Sequence, residues 1–445
     1  MTPHSYWFGP FRLDVDRRAL YQGTTCRPLS ERLFQLLLVL IESEGELVLR
    51  DDLAHRVWGD EGVTDTNLTQ HVYLLRELLG ERRGERGYIL TVAGRGYRFA
   101  APVTSVPSEV GALVADASAV DGSAFTSSME ALQQYCRGNY LLDRRTAQAL
   151  RAAGAAFQQS LKADPSFVHA YVGLARCWAM LAEYWHEPSP IAMPKARSYI
   201  DRALELDPRS PMALAALSEV QLCAEWNWAT SQQTLEAALT ANPGLAFARN
   251  NAAWLHLYRG EFDLAAVEAR EALQSQPASL PLQLLNARVL SHAGKHDQAI
   301  AAIGDLLAID PGFSFARRFL TLAFLLAGRP DRAIDEMLAE PPDDDEDAVY
   351  RLPLLTRAWS QLGEHEKARE AFERLRALSR TQYVSGWNLA MSAANCGRED
   401  EAIGLLRQAE RQRDSALLLL PILMPIFDAL EKRPEFVTLV RSAAA

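Results

Sequence analysis

Gly260-Glu-Phe-Asp-Leu-Ala265 returns as Gly294-Lys-His-Asp-Gln-Ala299, Gly328-Arg-Pro-Asp-Arg-Ala333, Gly363-Glu-His-Glu-Lys-Ala368 and Gly397-Arg-Glu-Asp-Glu-Ala402, at steps of 34, 34, 35 and 34 residues. A second mark runs in phase with it. Prolines close helices at Pro165, Pro208, Pro243, Pro277 and Pro311, and the last three steps are 35, 34 and 34. Glycine can end a helix in a left-handed conformation that costs other residues. A small alanine lets a second helix pack close to the first, and proline stops that helix. One such pair cannot bury its apolar faces alone, so a run of pairs stacks into a solenoid.

From residue 128 the chain therefore reads as helical almost to its end, with about eight helix pairs and a final cap. The 43-residue step from Pro165 to Pro208 places an insertion near 184–193. In the third pair Trp226 and Trp228 take the glycine and aromatic positions of the motif. The apolar run Ala416–Asp428 is too short to span a bilayer and contains Pro421 and Pro425; it reads as a buried helix pair or its connection. This region, roughly 130–412, resembles the tetratricopeptide repeat family, and the period makes the resemblance specific.

Residues 5–99 carry a different pattern. Tyr6–Phe8, Phe11–Val15 and Ala19–Tyr21 are short strand-like pieces. Ser30 caps a helix whose apolar residues are Leu33, Phe34, Leu36, Leu37, Leu40 and Ile41. A short helix follows at about 50–58, with Leu53, Ala54 and Val57 inward. A third runs from Asp65 or Thr66 to Leu79, with Leu68, Val72, Leu75, Leu78 and Leu79 inward. Tyr88–Val92 and Tyr97–Ala100 then form a hairpin through Gly94, Arg95 and Gly96. Residues 101–127, rich in small residues and poor in aromatic ones, read as a linker.

Three helices followed by a hairpin is the order of a winged helix. Residues 6–99 resemble the effector domain of OmpR/PhoB-type response regulators. Leu29-Ser30, Phe34, Leu36-Leu37, Val57-Trp58-Gly59, His71-Val72, Leu75-Arg76, Leu78-Leu79-Gly80 and Leu90–Phe99 carry the resemblance, in order over the whole domain. It implies that the third helix enters the major groove of double-stranded DNA and the wing meets the minor groove. Carried over, Asn67, Gln70, His71, Tyr73, Leu74 and Arg76 are the residues near base edges or backbone. Arg95 at the wing tip suits a narrow, negative minor groove, and Arg98 is a further DNA-binding candidate. Arg82, Arg83 and Arg86 before the wing suit phosphate. The family commonly has a basic residue where this chain has Glu77. Other readings stay open: Trp58 as core, Arg76 as the partner of a carboxylate inside the domain, His71 as mere cover for the helix.

The expected fold is thus multidomain: an α+β winged helix-turn-helix over 1–100, a linker over 101–127 and an all-α tetratricopeptide-repeat solenoid over 128–445. The layout is similar to that of HilA-like and CadC-like transcriptional activators. No transmembrane helix is read between the two parts, which is nearer the soluble HilA-like arrangement. No receiver domain is read before residue 6, so phosphorylation of a receiver aspartate is not the expected switch.

Charge agrees with a local DNA-binding face rather than a basic protein. Residues 1–100 hold 13 Lys/Arg against 14 Asp/Glu, so nearly all the net charge of −10 lies in the repeats. Local clustering decides phosphate contact when only one face meets DNA. The five scattered cysteines lack CxxC spacing and argue against a disulfide framework or zinc site. With no secretory signal at the N-terminus, a cytoplasmic location is expected. No GxxxxGK[ST], GxGxxG at a strand–helix junction or HExxH occurs, and no nucleophile–base set is read. Neither catalysis, metal nor cofactor is expected. His292 and His296 read as surface residues at a repeat turn. The run Pro341–Asp347 reads as an acidic helix start.

The function expected is sequence-specific regulation of transcription, with activation favoured. The repeat groove would take an effector, a protein partner or another protomer, and RNA polymerase and homodimerisation are candidate associations. The alternative is a repeat scaffold whose winged helix contacts protein rather than DNA.

Overall fold

In the computed structural model the described residues are 5–8, 11–15, 18–22, 25–27, 29–43, 45–59, 65–80, 87–92, 94–101, 103–106, 126, 128–277, 279–339 and 345–444. They divide into two compact units, Met1–Gly122 and Ser123–Ala445.

The first unit begins with four antiparallel strands, β1 (Ser5–Phe8), β2 (Phe11–Asp14), β3 (Ala19–Gln22) and β4 (Thr25–Arg27). Helices α1 (Glu31–Glu42), α2 (Arg50–Trp58) and α3 (Asp65–Leu78) follow, with β5 (Val48–Leu49) between the first two. The hairpin β6 (Ile89–Val92) and β7 (Gly96–Phe99) comes next, then β8 (Thr104–Val106). The first sheet has the order β4-β3-β2-β1-β8 and the second β5-β7-β6.

Ser30 caps α1 as expected, its hydroxyl accepting from the Leu33 amide at 3.4 Å. The seven buried residues of α1, among them Leu33, Phe34, Leu36, Leu37, Leu40 and Ile41, meet Leu53 and Val57 of α2 and Leu68, Val72 and Leu75 of α3 in one core. Phe8, Phe11, Tyr88 and Phe99 close that core under the sheets with edge-to-face rings. Arg32 ties α1 to α2, donating to the Val57 carbonyl at 2.6 Å. Trp58 is buried in the core.

Part of the expected linker is not linker. Thr104–Val106 pair antiparallel with β1, Ser5 opposite Val106 and Trp7 opposite Thr104. An exposed strand edge favours a further strand, and composition alone does not reveal that.

The second unit is a solenoid of eight antiparallel helix pairs among the described residues. They are α4/α5 (Met129–Arg144, Ala147–Ala163), α6/α7 (Val168–Glu183, Ser189–Leu206), α8/α9 (Pro211–Cys223, Trp228–Ala241) and α10/α11 (Ala246–Tyr258, Phe262–Ser275). Then come α12/α13 (Leu280–His292, His296–Ile309), α14/α15 (Ser314–Leu326, Pro330–Leu338), α16/α17 (Asp345–Gln361, His365–Leu378) and α18/α19 (Gly386–Asn395, Glu399–Arg411). Of the acidic run Pro341–Asp347, residues 341–344 lie outside the described residues, and α16 begins at Asp345. The motif glycines Gly260, Gly294, Gly328, Gly363 and Gly397 take φ of +70° to +76° at the turn inside each pair. The first three pairs place Arg145, Trp185 and Trp226 there instead, at φ of +58°, +57° and +53°. The paired alanines, Ala265, Ala299, Ala333, Ala368 and Ala402, are all buried at the helix crossings. Asp164, Asp207, Asn242 and Asp310 close their helices by accepting from the backbone amide two residues on, at 2.9–3.1 Å. Before Pro165, Pro208, Pro243 and Pro311 the preceding residue thus makes the turn that the proline permits.

The end of the chain is a cap, but not a helix pair. Ser415–Leu419 and Met424–Leu430 are 3-10 turns, followed by α20 (Pro434–Ala444). The two prolines break longer helical hydrogen bonding, and Leu417, Leu418, Leu420, Ile426 and Phe427 are nonetheless buried. Arg357 on α16 pins the cap. It donates to both Asp428 carboxylate oxygens at 2.9 and 3.1 Å, to the Pro425 carbonyl at 2.8 Å and to Asn395 Oδ1 at 2.8 Å.

Candidate nucleic-acid interface

The α3 helix has one buried stripe and one open one. Leu68, Val72, Leu75 and Leu79 lie in the core. Asn67, Gln70 and Leu74, at helical spacings of three and four, share the opposite face with Tyr73. Tyr73 is 57% and Leu74 40% exposed, unusual for side chains of their size in so small a domain. His71 stands at the margin. Its Nδ1 lies 2.9 Å from the Asn67 carbonyl and its ring meets Trp58 edge-on at 5.1 Å. That geometry orients the imidazole and leaves it half-buried.

Arg76 does not face outward freely. Its Nη2 donates to the Ile89 carbonyl at 2.8 Å and to Thr91 Oγ1 at 2.8 Å. It joins α3 to the wing strand β6. Both of these partners, a backbone carbonyl and a hydroxyl, lie inside the domain.

The wing tip is held from two sides. The Arg95 amide donates to the Val92 carbonyl at 3.0 Å, and the Arg50 amide donates to the Arg95 carbonyl at 3.1 Å. The Arg95 side chain is exposed, as is that of Arg98 on β7. Gly96 permits this arrangement: a Cβ there would stand 2.0 Å from the Val48 carbonyl oxygen of β5. Arg82, Arg83 and Arg86 lie outside the described residues, as does the side chain of Glu77.

Sequence reasoning missed one joint. Arg50 Nη2 donates to Tyr97 Oη at 3.2 Å and its guanidinium lies 5.3 Å from that ring. Thr69 Oγ1 stands 3.5 Å from the same hydroxyl. A residue from each of α2, α3 and the wing thus meets at one phenol, fixing the helix against the hairpin. The three are separated by 28 and 47 residues, and no local spacing signals their meeting.

Arranged this way, a rigid helix presents amides and exposed aromatic and apolar groups beside an arginine-tipped hairpin. Residues 24–99 match the family described as "Transcriptional regulatory protein, C terminal". The N-terminal unit is a DNA-binding domain of the OmpR/PhoB type found in transcription regulators. Over 73 residues the chain is 42% identical to the transcriptional regulator HilA of Salmonella typhimurium. That match covers 16% of this chain and 13% of the relative, so the chain spans about an eighth of that relative's length. The DNA-binding domain of E. coli CadC is 28% identical, with 23% of this chain and 97% of that one covered at a TM-score of 0.22. A thermophilic tetratricopeptide repeat protein of Thermus thermophilus is 20% identical, with 44% of this chain and 99% of that one covered at a TM-score of 0.35.

No described helix is long and apolar enough to cross a membrane. Among the described residues no cluster of His, Cys, Asp and Glu is arranged to hold a metal. The expectation for His292 fails in one respect. It is not a surface residue but a half-buried one on the inner face of the solenoid, beside Arg288, and burial pushes its pKa down to about 3.

Proposed function

We propose that this protein is a sequence-specific, double-stranded-DNA-binding regulator of transcription, acting as an activator, whose repeat unit takes an effector or protein partner. The observation that carries the reading is the split of α3 into a wholly buried stripe and an open face of Asn67, Gln70, Tyr73 and Leu74, beside the exposed Arg95. In this reading Asn67 and Gln70 reach base edges, where amides pair bidentately with adenine. Tyr73 and Leu74 pack on thymine methyl groups or sugar, and His71 lies at the margin of the same face. Arg95 enters the minor groove, with Arg98, Arg82, Arg83 and Arg86 on phosphate. Arg76 acts by holding α3 to the wing. The protein works in the cytoplasm, with RNA polymerase as a partner and a second copy on paired half-sites.

The test is footprinting on genomic fragments with the full chain and with 1–110 in parallel, followed by binding at graded salt. Discrete sites are expected for both, and Arg95→Ala with Arg82→Ala and Arg83→Ala should weaken binding in a salt-dependent way. No enrichment at low or moderate salt sinks the reading. Tyr73 and Leu74 favour one second reading, in which this apolar patch docks on a protein and the chain is a scaffold. Partner binding that survives without DNA affinity at any salt would select it.

A further inference from the structure

The solenoid closes on itself. Tyr350 of the seventh pair donates its hydroxyl to the Tyr184 carbonyl at the turn of the second, and stands 2.9 Å from His186 Nδ1. Trp185 stacks on Tyr350 at 6.0 Å, and Tyr184 meets Phe315 of the sixth pair at 4.6 Å. The inner face is therefore enclosed rather than an open groove. Its lining comes from the first helix of each pair. The ninth residues of α6, α8, α10 and α12 are Arg176, Glu219, Trp254 and Arg288. One turn further on, the residues are Met180, Cys223, Tyr258 and His292.

The arginines of this inner face are unusual ones. The Arg288 guanidinium is sandwiched between the rings of Trp254, at 4.1 Å, and Phe319, at 3.7 Å. Arg176 lies 4.2 Å over Phe247. Arg145 donates to the Tyr184 hydroxyl and lies 5.3 Å over Phe315. The Nε–H groups of all three are buried and find no hydrogen-bond partner among the described residues. Among the described residues none of the three has a carboxylate within ion-pair distance. Other arginines of the same solenoid behave otherwise: Arg249 pairs with Glu268 at 2.8 Å and Arg317 with Glu336 at 2.5 Å. Stacking covers the flat faces of the inner guanidinia and leaves their Nε–H donors, pre-set in orientation, without an acceptor. A buried charge without a partner is costly, and an oxyanion is what those edges fit.

Three carboxyls share the space, Asp143, Glu183 and Glu219. Burial raises Asp143 above the usual carboxylate range, against the pull of Arg145 and Arg176. Burial pushes Glu183 up to about 7 and lifts Glu219 well above the usual carboxylate range, the latter also raised by Glu183. Arg288, lowered by burial to about 9, stays charged at neutral pH. Burial thus works against the charged form of each of the three carboxyls beside these guanidinia, while Arg288 keeps its charge.

We propose that this inner face is a binding site for a small organic anion, a carboxylate or phosphate on a flat apolar body, held by Arg145, Arg176 and Arg288. The aromatic residues Trp254 and Tyr258 would receive the flat body. This rests on the reading that the repeat unit takes an effector and names that effector's chemistry.

The test titrates the full chain, without DNA, with benzoate, phenyl phosphate, inorganic phosphate and neutral benzamide, read by calorimetry and tryptophan fluorescence. The expected result is saturable one-to-one binding of an aromatic anion at least tenfold tighter than benzamide. Arg176→Gln and Arg288→Gln should each weaken it tenfold or more, and Arg288→Lys should not restore it. The fluorescence change should vanish in Trp254→Phe. Binding of inorganic phosphate as tight as phenyl phosphate would place the affinity in the oxyanion alone and overturn the flat body. Failure of all three anions to bind the wild-type chain overturns the site, as does undiminished binding in whichever arginine variants fold. A chain that binds the anion but no DNA would sink the regulator reading and leave this site standing. DNA binding with no anion binding would do the reverse.

Discussion

At the scale of single residues, Arg76 and Arg95 separate what positions from what touches. Both are basic, one on α3 and one at the wing tip, and the sequence offers both as DNA contacts. Arg76 commits its Nη2 to the Ile89 carbonyl and Thr91 hydroxyl, inside the domain. Replacing it with alanine removes both hydrogen bonds that join α3 to β6, at a cost of about 1–3 kcal/mol. The Arg76→Ala variant should therefore melt earlier, with weaker DNA binding in proportion to lost fold and an unchanged preference among sites. Arg95→Ala should leave the melting temperature within the scatter of surface substitutions. It should reduce the slope of log affinity against log salt by about one if the side chain meets phosphate. A thermal melt beside a salt titration of both variants checks the pair, and a salt slope lowered by Arg76→Ala but untouched by Arg95→Ala would reverse the two roles. The core was easier to read than these arginines. Apolar periodicity marks Leu68, Val72 and Leu75 as inward whatever surrounds them, whereas an arginine's reach of several bonds lets either destination satisfy it.

Elements show the same divide between local and distant causes. The glycines at helix-pair turns and the hairpin carry their reason in their own φ, so the repeats and the wing were legible. Strands β4, β5 and β8 were not. Two or three residues long, they exist because β3, β7 and β1 offer partners, and β8 meets β1 across about a hundred residues. Gly94 and Gly96 illustrate the difference within one turn. Gly94 has φ of +69° and open space around its Cα, so alanine there meets only the left-handed strain of about 1–2 kcal/mol. Gly96 needs no special φ but lies against β5, where a Cβ would collide with the Val48 carbonyl. Gly96→Ala should cost about 3 kcal/mol and loosen the wing, because the obstacle is backbone and cannot rotate away. Chemical denaturation of 1–110 ranks the two, and a Gly94→Ala variant as damaged as Gly96→Ala would show that the β5–β7 contact is softer than its geometry. In the solenoid, Gly173 makes the parallel case: a Cβ there would meet the Phe157 ring at 2.6 Å. Phe157 is fully buried, so Gly173→Ala should destabilise the second unit by about 1–3 kcal/mol.

For the whole molecule, the repeat unit's closure gathers ionisable groups that the sequence scatters over more than a hundred residues. The period announced the helices, but the inward residues of each pair meet only because the curvature brings the second pair against the sixth and seventh. Nothing local in Glu183 or His292 says that they share an interior. Closure has a consequence for pH. Glu183 in the folded chain holds its proton to about 7, against 4.5 when unfolded. Between those values the folded state binds the extra proton, so this group withdraws stability as pH rises, by about 1.4 kcal/mol per unit at most. Glu219 and the buried Asp414, raised to about 6, act in the same direction. His292 acts in the opposite one. Folded, it refuses the proton down to about 3, whereas the unfolded ring takes it near 6.5, so it withdraws stability as pH falls below 6.5. Between 4.5 and 6.5 one carboxyl and the imidazole cancel, since unfolding only passes a proton from one to the other, and the remaining carboxyls leave a net fall with rising pH. Glu183→Gln removes one falling contribution and should flatten the decline of stability from about pH 5 to 7. His292→Gln removes the rising contribution and should steepen it. Denaturation of the full chain across that range, followed by a probe of the helical unit, measures both slopes. Equal slopes in wild type and both variants would mean that the interior is wet enough to leave these groups near their free values, and the enclosed face would then have to be open to bulk water.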